Sequence, residues 1–250
     1  MESLGPEWLA IFVISGLLAG LVDSIAGGGG LITLPVLLWA GLSPVAALAT
    51  NKLQGSVGTL TATLNFLHKG HLSWRLASLP VACAFIGSLL GAGVVQRFDP
   101  GLLRRLLPLM LLGFALFFLF SPRLSDEDAR ARLGVPAFAL VVGLGVGFYD
   151  GFFGPGAGML FVIGSVSLLG LRASRATGLT KAMNFASNLA ALLGFALAGQ
   201  LSWPVGLAMG VGQLAGAWTG SHLVMRNGAA IVRPALVLVA VAMALRLLFG

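Results

Sequence analysis

Five apolar stretches, at roughly residues 8–26, 31–41, 44–67, 74–96 and 101–120, follow one another with only short polar turns between them. Five more follow at roughly 135–153, 158–170, 173–198, 203–225 and 229–249. A chain patterned this way has almost nothing with which to build a water-facing surface. Charged residues make up 9% of its 250 positions and hydrophobic ones 58%, where soluble domains carry roughly 25% charge. The solvent is therefore lipid. There the backbone must satisfy its own hydrogen bonds, and apolar runs of about 20 residues do so as helices. The expected fold is an all-α polytopic membrane protein with about eight full transmembrane helices, plus short broken or half-helices.

The two sets of five are copies. "GHLSW" at 70–74 recurs as "GQLSW" at 199–203, 129 residues later. At the same separation Lys52 meets Lys181, Phe66 meets Phe195, Gly87 and Gly91 meet Gly216 and Gly220, and Arg104 meets Arg233. Upstream the offset is 127, which matches Gly20 and Asp23 with Gly147 and Asp150. The chain thus divides into a first transmembrane repeat (1–120), a polar linker (121–134) and a second repeat (135–250). With five passes per repeat, Lys69, Arg75, Arg123, Arg130, Arg132, Arg172, Arg175, Arg226 and Arg233 share one side. Only Arg97, Arg104 and Arg105 oppose them. That bias follows the positive-inside rule and favours inverted repeats, a common transporter architecture.

Charge and cysteine usage close off other classes. The formal charge of +7 comes mainly from arginines between apolar segments, with no basic, aromatic-interleaved patch of the kind nucleic acid requires. Nucleic acid is not an expected partner. Cys83 is the single cysteine, so no intramolecular disulfide or cysteine metal cluster can form. No nucleotide loop, Ser-His-Asp spacing or HExxH motif is present, so no enzyme, cofactor or metal is expected.

Two constellations could carry chemistry. The first is a glycine break, "DSIAGGGGLI" at 23–32, matched by "DGFFGPGAGML" at 150–160. Four glycines, or a proline, cannot favour a continuous helix. Irregular backbone at membrane depth survives where it is buried in protein or lines a cavity. Its freed N–H groups and the start of the following half-helix make an anion-receptive concavity; close helix packing is the bland alternative.

The second constellation is the lysine pair. The chain has three lysines, and two are the repeat-related Lys52 and Lys181. On a helix Lys52 shares a face with Ser56, Thr59 and Thr63, and Lys181 with Asn184 and Asn188, cations above hydrogen-bond donors that suit an oxyanion. The competing reading pairs each lysine with the aspartate of its own half, Asp23 or Asp150, as a structural ion pair. Both hold together if a protonated aspartate releases its lysine. The GxxxG pairs Gly16/Gly20, Gly87/Gly91, Gly143/Gly147 and Gly216/Gly220 read as helix packing. Trp74 and Trp203 read as interfacial anchors.

"GLVDSIAGGGGLITLPVLL", "ATNKLQGSVGTLTATLNF" and "GHLSW", with "GFYDGFFGPGAGML" and "ATGLTKAMNFASNLAAL", resemble the two repeats of the TauE/SafE family of sulfite and organosulfonate exporters. The likeness runs from about residue 8 to 249. It implies a carrier of small inorganic or organic sulfur anions in the bacterial inner membrane, proton-coupled and working by alternating access. By position it implies a substrate site at Thr50, Asn51, Lys52 and Gln54 with Gly28 and Gly29, and at Lys181, Asn184 and Asn188 with Gly156. Asp23 and Asp150 are the proton-coupling candidates. One central site fed by both halves is expected, because Pro155 interrupts the second glycine run and Phe185 stands opposite Ser56. A passive anion channel and a non-transporting membrane scaffold are the alternatives. Oligomeric state stays open, with a homodimer as the candidate.

Overall fold

The computed structural model describes residues 5–120 and 129–227. Among them every regular element is a helix. The first repeat gives α1 (Pro6–Ala26), α2 (Gly30–Trp39), α3 (Pro44–His68), α4 (Trp74–Val95) and α5 (Pro100–Phe120). The second gives α6 (Val135–Phe152), α7 (Ala157–Leu169), α8 (Ala173–Leu197) and α9 (Trp203–Asn227). The boundaries fall within a few residues of the apolar stretches. Segment 229–249 and most of the linker, with Arg123 and Arg233, lie outside the described residues.

Local chemistry sets the ends. Pro6 and Pro44 open α1 and α3 in the first turn, where the missing N–H costs nothing. Ser43 caps α3 by accepting from Ala46 N at 3.3 Å. Gly27 stops α1 with φ +78°, and its N–H bonds Asp23 O at 2.7 Å. The helix α6 departs from regularity over Ala139–Leu144, a π-helical stretch that its counterpart α1 lacks.

Among the described residues three helices are long and apolar enough to cross a membrane: Pro6–Ile25, Trp74–Val95 and Val135–Phe152, with mean hydropathies of 2.0, 1.9 and 1.6. The 10-residue α2 and 13-residue α7 reach only about 15–20 Å at 1.5 Å per residue, short of a roughly 30 Å hydrocarbon core. They are short helices in their own right, each following a break. Both α3 and α8 have 25 residues, yet each carries a buried polar stripe. They form the centre of the bundle, packed on each other, with α1, α4 and α9 around them.

The packing is unchanged when the repeats are exchanged. Helix α1 lies on α9 as α4 lies on α6, and α3 meets α9 as α8 meets α4. Glycines make the first two contacts. A Cβ on Gly16 or Gly20 would collide with the backbone of Met209 or Gln213, and one on Gly212 or Gly216 with that of Val13 or Leu17. Gly87 and Gly91 press in the same way on Leu144 and Phe148, and Gly147 on Ala84. The GxxxG reading as packing is what the helices show. Outward-facing positions such as Leu90, Val211 and Trp218 are apolar and more than half exposed, as a lipid-facing surface requires. Trp74 and Trp203 stand exposed at the first residue of α4 and α9.

Candidate functional site

The two helix breaks meet at the middle of the bundle. A Cβ on Gly27 would strike the backbone of Gly158, so the first break rests directly on the start of α7. Pro155 of the second break lies against Gly30 at the start of α2, 3.2 Å from where its Cβ would stand. Although the N–H groups of Leu31, Ile32 and Ala157 already bond the main-chain O of Gly28, Gly29 and Gly154, the N-terminal ends of α2 and α7, with their positive dipole ends, face one shared space. Its walls are Gly27, Gly29, Gly30, Gly154, Gly156 and Gly158 from the breaks and Asn51, Gln54, Asn184 and Asn188 from α3 and α8. Asp23, Asp150, Gly55, Thr59 and Gln213 complete them. The free volume at its centre is about 30 Å³, room for a water or two.

The lysines are buried and crossed. Lys52 and Lys181 are each 1% exposed, and each reaches the aspartate of the other repeat. Lys52 Nζ donates to Asp150 Oδ1 at 2.6 Å, and Ser187 Oγ donates to the second oxygen, Asp150 Oδ2. Lys181 Nζ donates to the main-chain O of Asp23 and lies 3.4 Å from Asp23 Oδ2. This corrects the expectation that each lysine pairs within its own half. The repeat shows which residues are equivalent; the exchange packing of α3 and α8 decides which they touch. It also moves the cations. The cavity wall carries the two carboxylates, and the lysines stand behind them.

Polar groups expected as donors divide into two sets. Asn51 Oδ1 accepts from Thr33 Oγ1 at 2.5 Å and from Gln54 Nε2 at 2.8 Å, fixing both amides at the cavity wall. Asn184 and Asn188 also line it, whereas Lys181, whose helix face they were expected to share, does not. Thr50, by contrast, is turned away: its Oγ1 accepts from Ser202 N at 3.2 Å and ties α3 to the start of α9. Gly28 lies between lining glycines without lining the cavity itself. Ser56, Thr59 and Thr63 spend their hydroxyls on the carbonyls four residues back, Lys52, Gly55 and Thr59, so they do not offer donor hydrogens to a ligand.

Sequence reasoning missed Gln213 on α9, which lines the cavity and is 1% exposed. It also missed Thr33, the hub between Asn51 and Gln54. A lone glutamine inside "MGVGQLAGAW" was the available signal for the first. Among the described residues no group of histidine, cysteine, aspartate or glutamate could hold a metal ion.

An all-helical membrane protein with a buried polar chamber between two duplicated helix breaks belongs to the transporter class. The sulfite exporter TauE/SafE family model matches residues 12–247, and the chain belongs to that family of membrane transporters. It is 43% identical over 247 residues to the probable membrane transporter protein YfcA of Escherichia coli K12, covering 98% of this chain and 91% of that one. A probable membrane transporter protein of Haemophilus influenzae is 42% identical over 246 residues, covering 98% and 96%. The more distant YunE of Bacillus subtilis, also a probable membrane transporter protein, is 26% identical over 89% of this chain and 88% of its own. No solved structure matches. The protein is a multi-pass transporter of the bacterial inner membrane.

Proposed function

We propose that this protein is a secondary carrier that exports a small sulfur-containing anion, sulfite or an organosulfonate, by proton-coupled alternating access. The observation that carries this reading is the meeting of two helix N-termini and five side-chain amides at one site, with a lysine from each repeat behind its carboxylates. The anion would sit between Gly29–Gly30 and Gly156–Gly158, held by backbone N–H groups and the amides of Asn184 and Asn188. Lys52 and Lys181 offset the aspartates, so the net charge of the wall does not repel an anion. Protonation of Asp23 or Asp150 would weaken its crossed pair and turn a lysine towards the substrate.

The repeats would be inverted, as the distribution of basic loop residues supports, provided that α2 and α7, though short, each carry the chain across; rocking of one repeat against the other would then expose the site to each side in turn. A chamber of about 30 Å³, room for a water or two, is too small for a permanently open anion pore and would widen to take its cargo, as a carrier's site does.

Counterflow tests the proposal. Proteoliposomes preloaded with unlabelled sulfite or sulfonate should take up the labelled anion faster than empty ones, and uptake should saturate. Conductance without exchange would replace the carrier by a channel. No movement of any sulfur anion would remove the function altogether.

A further inference from the structure

Gln213 has no place in the duplicated machinery. Its repeat counterpart is Ala84, and the two backbones do the same work: Gly20 packs on the backbone of Gln213 as Gly147 packs on that of Ala84. Alanine shows that this contact needs no carboxamide. The side chain nevertheless runs over Gly58, where a Cβ would stand 2.5 Å from its Nε2, and reaches the cavity wall. Position 58 corresponds to Ser187, the hydroxyl that binds Asp150. In the first repeat the hydroxyl is missing, and the carboxamide of Gln213 fills the space it leaves.

That carboxamide is not satisfied by the protein. Gln213 Oε1 is buried and has no hydrogen-bond partner among the described residues, and the same is true of Gln54 Oε1 in the same wall. Buried acceptors left unpaired are costly, and a donor from outside the chain, a water or a ligand hydroxyl, would satisfy them. A bare oxyanion cannot supply one. An ammonium group is a poor match, because both aspartates already hold lysines. A neutral O–H group fits.

We infer that Gln213 contacts the transported anion, and that its Oε1 selects sulfur oxyanions that also carry a hydroxyl hydrogen. The inference rests on the sulfur-anion reading above. The oxyanion end lies at the starts of α2 and α7, and the hydroxyl points to Gln213 and Gln54. The first repeat's Ala84 makes this selection one-sided, so the site has a single orientation for its ligand.

The test compares two probes of equal charge, ethanesulfonate and 2-hydroxyethanesulfonate, by calorimetric titration of the purified full-length protein. Wild type should bind the hydroxy compound roughly threefold to tenfold more tightly, the value of one neutral hydrogen bond. Gln213→Leu should make the two affinities equal, whatever its effect on ethanesulfonate binding itself. Equal wild-type affinities, or a preference that survives Gln213→Leu, would overturn the inference and leave the sulfur-anion reading standing. Failure of wild type to bind either probe would overturn both. Should Gln213→Leu not fold, Gln213→Met keeps the unbranched chain, and the wild-type ratio decides on its own.

Discussion

Lys52 of the first repeat donates its ammonium to Asp150 of the second at 2.6 Å, with both side chains at most 3% exposed. The contact joins α3 to α6 across the repeat boundary, and Lys181 with Asp23 joins α8 to α1 in the mirror sense. Each repeat therefore holds closed the helix break of the other. Such a pair resists the loss of one member far more than the loss of both.

Lys52→Met should leave Asp150 buried and uncompensated, lowering stability by about 3–5 kcal/mol. Lys52→Met with Asp150→Leu should recover most of that loss. Lys52→Met with Asp23→Leu should recover none, since Asp23 belongs to Lys181. Thermal unfolding of the detergent-solubilised variants separates these cases. Equal rescue by both double variants would mean that the pairs are not crossed.

The two pairs should also differ from each other. Asp150 engages Lys52 and Ser187 through both oxygens. The stronger bond of Lys181, by comparison, goes to the main-chain O of Asp23 and survives a change of side chain. Asp23→Asn leaves Lys181 its main-chain bond but not its counter-charge, so it should cost less than Asp150→Asn, which should approach the loss of about 3–5 kcal/mol of a broken buried pair. Unfolding midpoints in the reverse order would contradict the geometry.

Helix contacts made by glycine backbones leave no room for a side chain. Gly216→Val should prevent α1 and α9 from docking, and Gly87→Val should do the same to α4 and α6, with loss of folded protein in size-exclusion profiles. Gly93→Ala faces open space and should be neutral or gain up to about 1 kcal/mol from helix propensity. A folded Gly216→Val protein of wild-type stability would exclude the close α1–α9 contact.

Tyr149 ties down the second break by donating its hydroxyl to Pro155 O at 2.5 Å, with Phe114 tilted against its ring and Phe153 edge-on to it. Tyr149→Phe keeps the rings and removes the bond. Stability should fall by about 1 kcal/mol, and amide exchange should rise at Gly154–Gly158. Unchanged protection there would show that the break is held by packing alone.

Much of this was legible in the sequence. Apolar run lengths give the nine helices of the described residues within a few positions, because lipid forces backbone bonding inside each segment. The repeat offset brings Lys52, Lys181, Asp23 and Asp150 forward as a set, and the structure gathers all four at the breaks. Their partners were hidden. A repeat alignment states equivalence, whereas contact depends on how the copies pack, and exchange packing turns own-half pairs into crossed ones. The hydroxyls of Ser56, Thr59 and Thr63 misled for a local reason: on a helix they find a carbonyl one turn back before they find a ligand. Gln213 escaped because searching for duplicated residues discards a position whose counterpart is alanine. The π-helical stretch of α6 leaves no mark in "ALVVGL" that separates it from an ordinary helix.

The central claim, a single oxyanion site where the two breaks meet, is tested most directly by diffraction from crystals grown with selenite, a sulfite analogue that scatters anomalously. The expected result is one anomalous peak per chain between Gly29–Gly30 and Gly156–Gly158, within hydrogen-bonding distance of Asn184 and Asn188. A peak confined to the arginine-bearing loops, with none in this cavity, would contradict it.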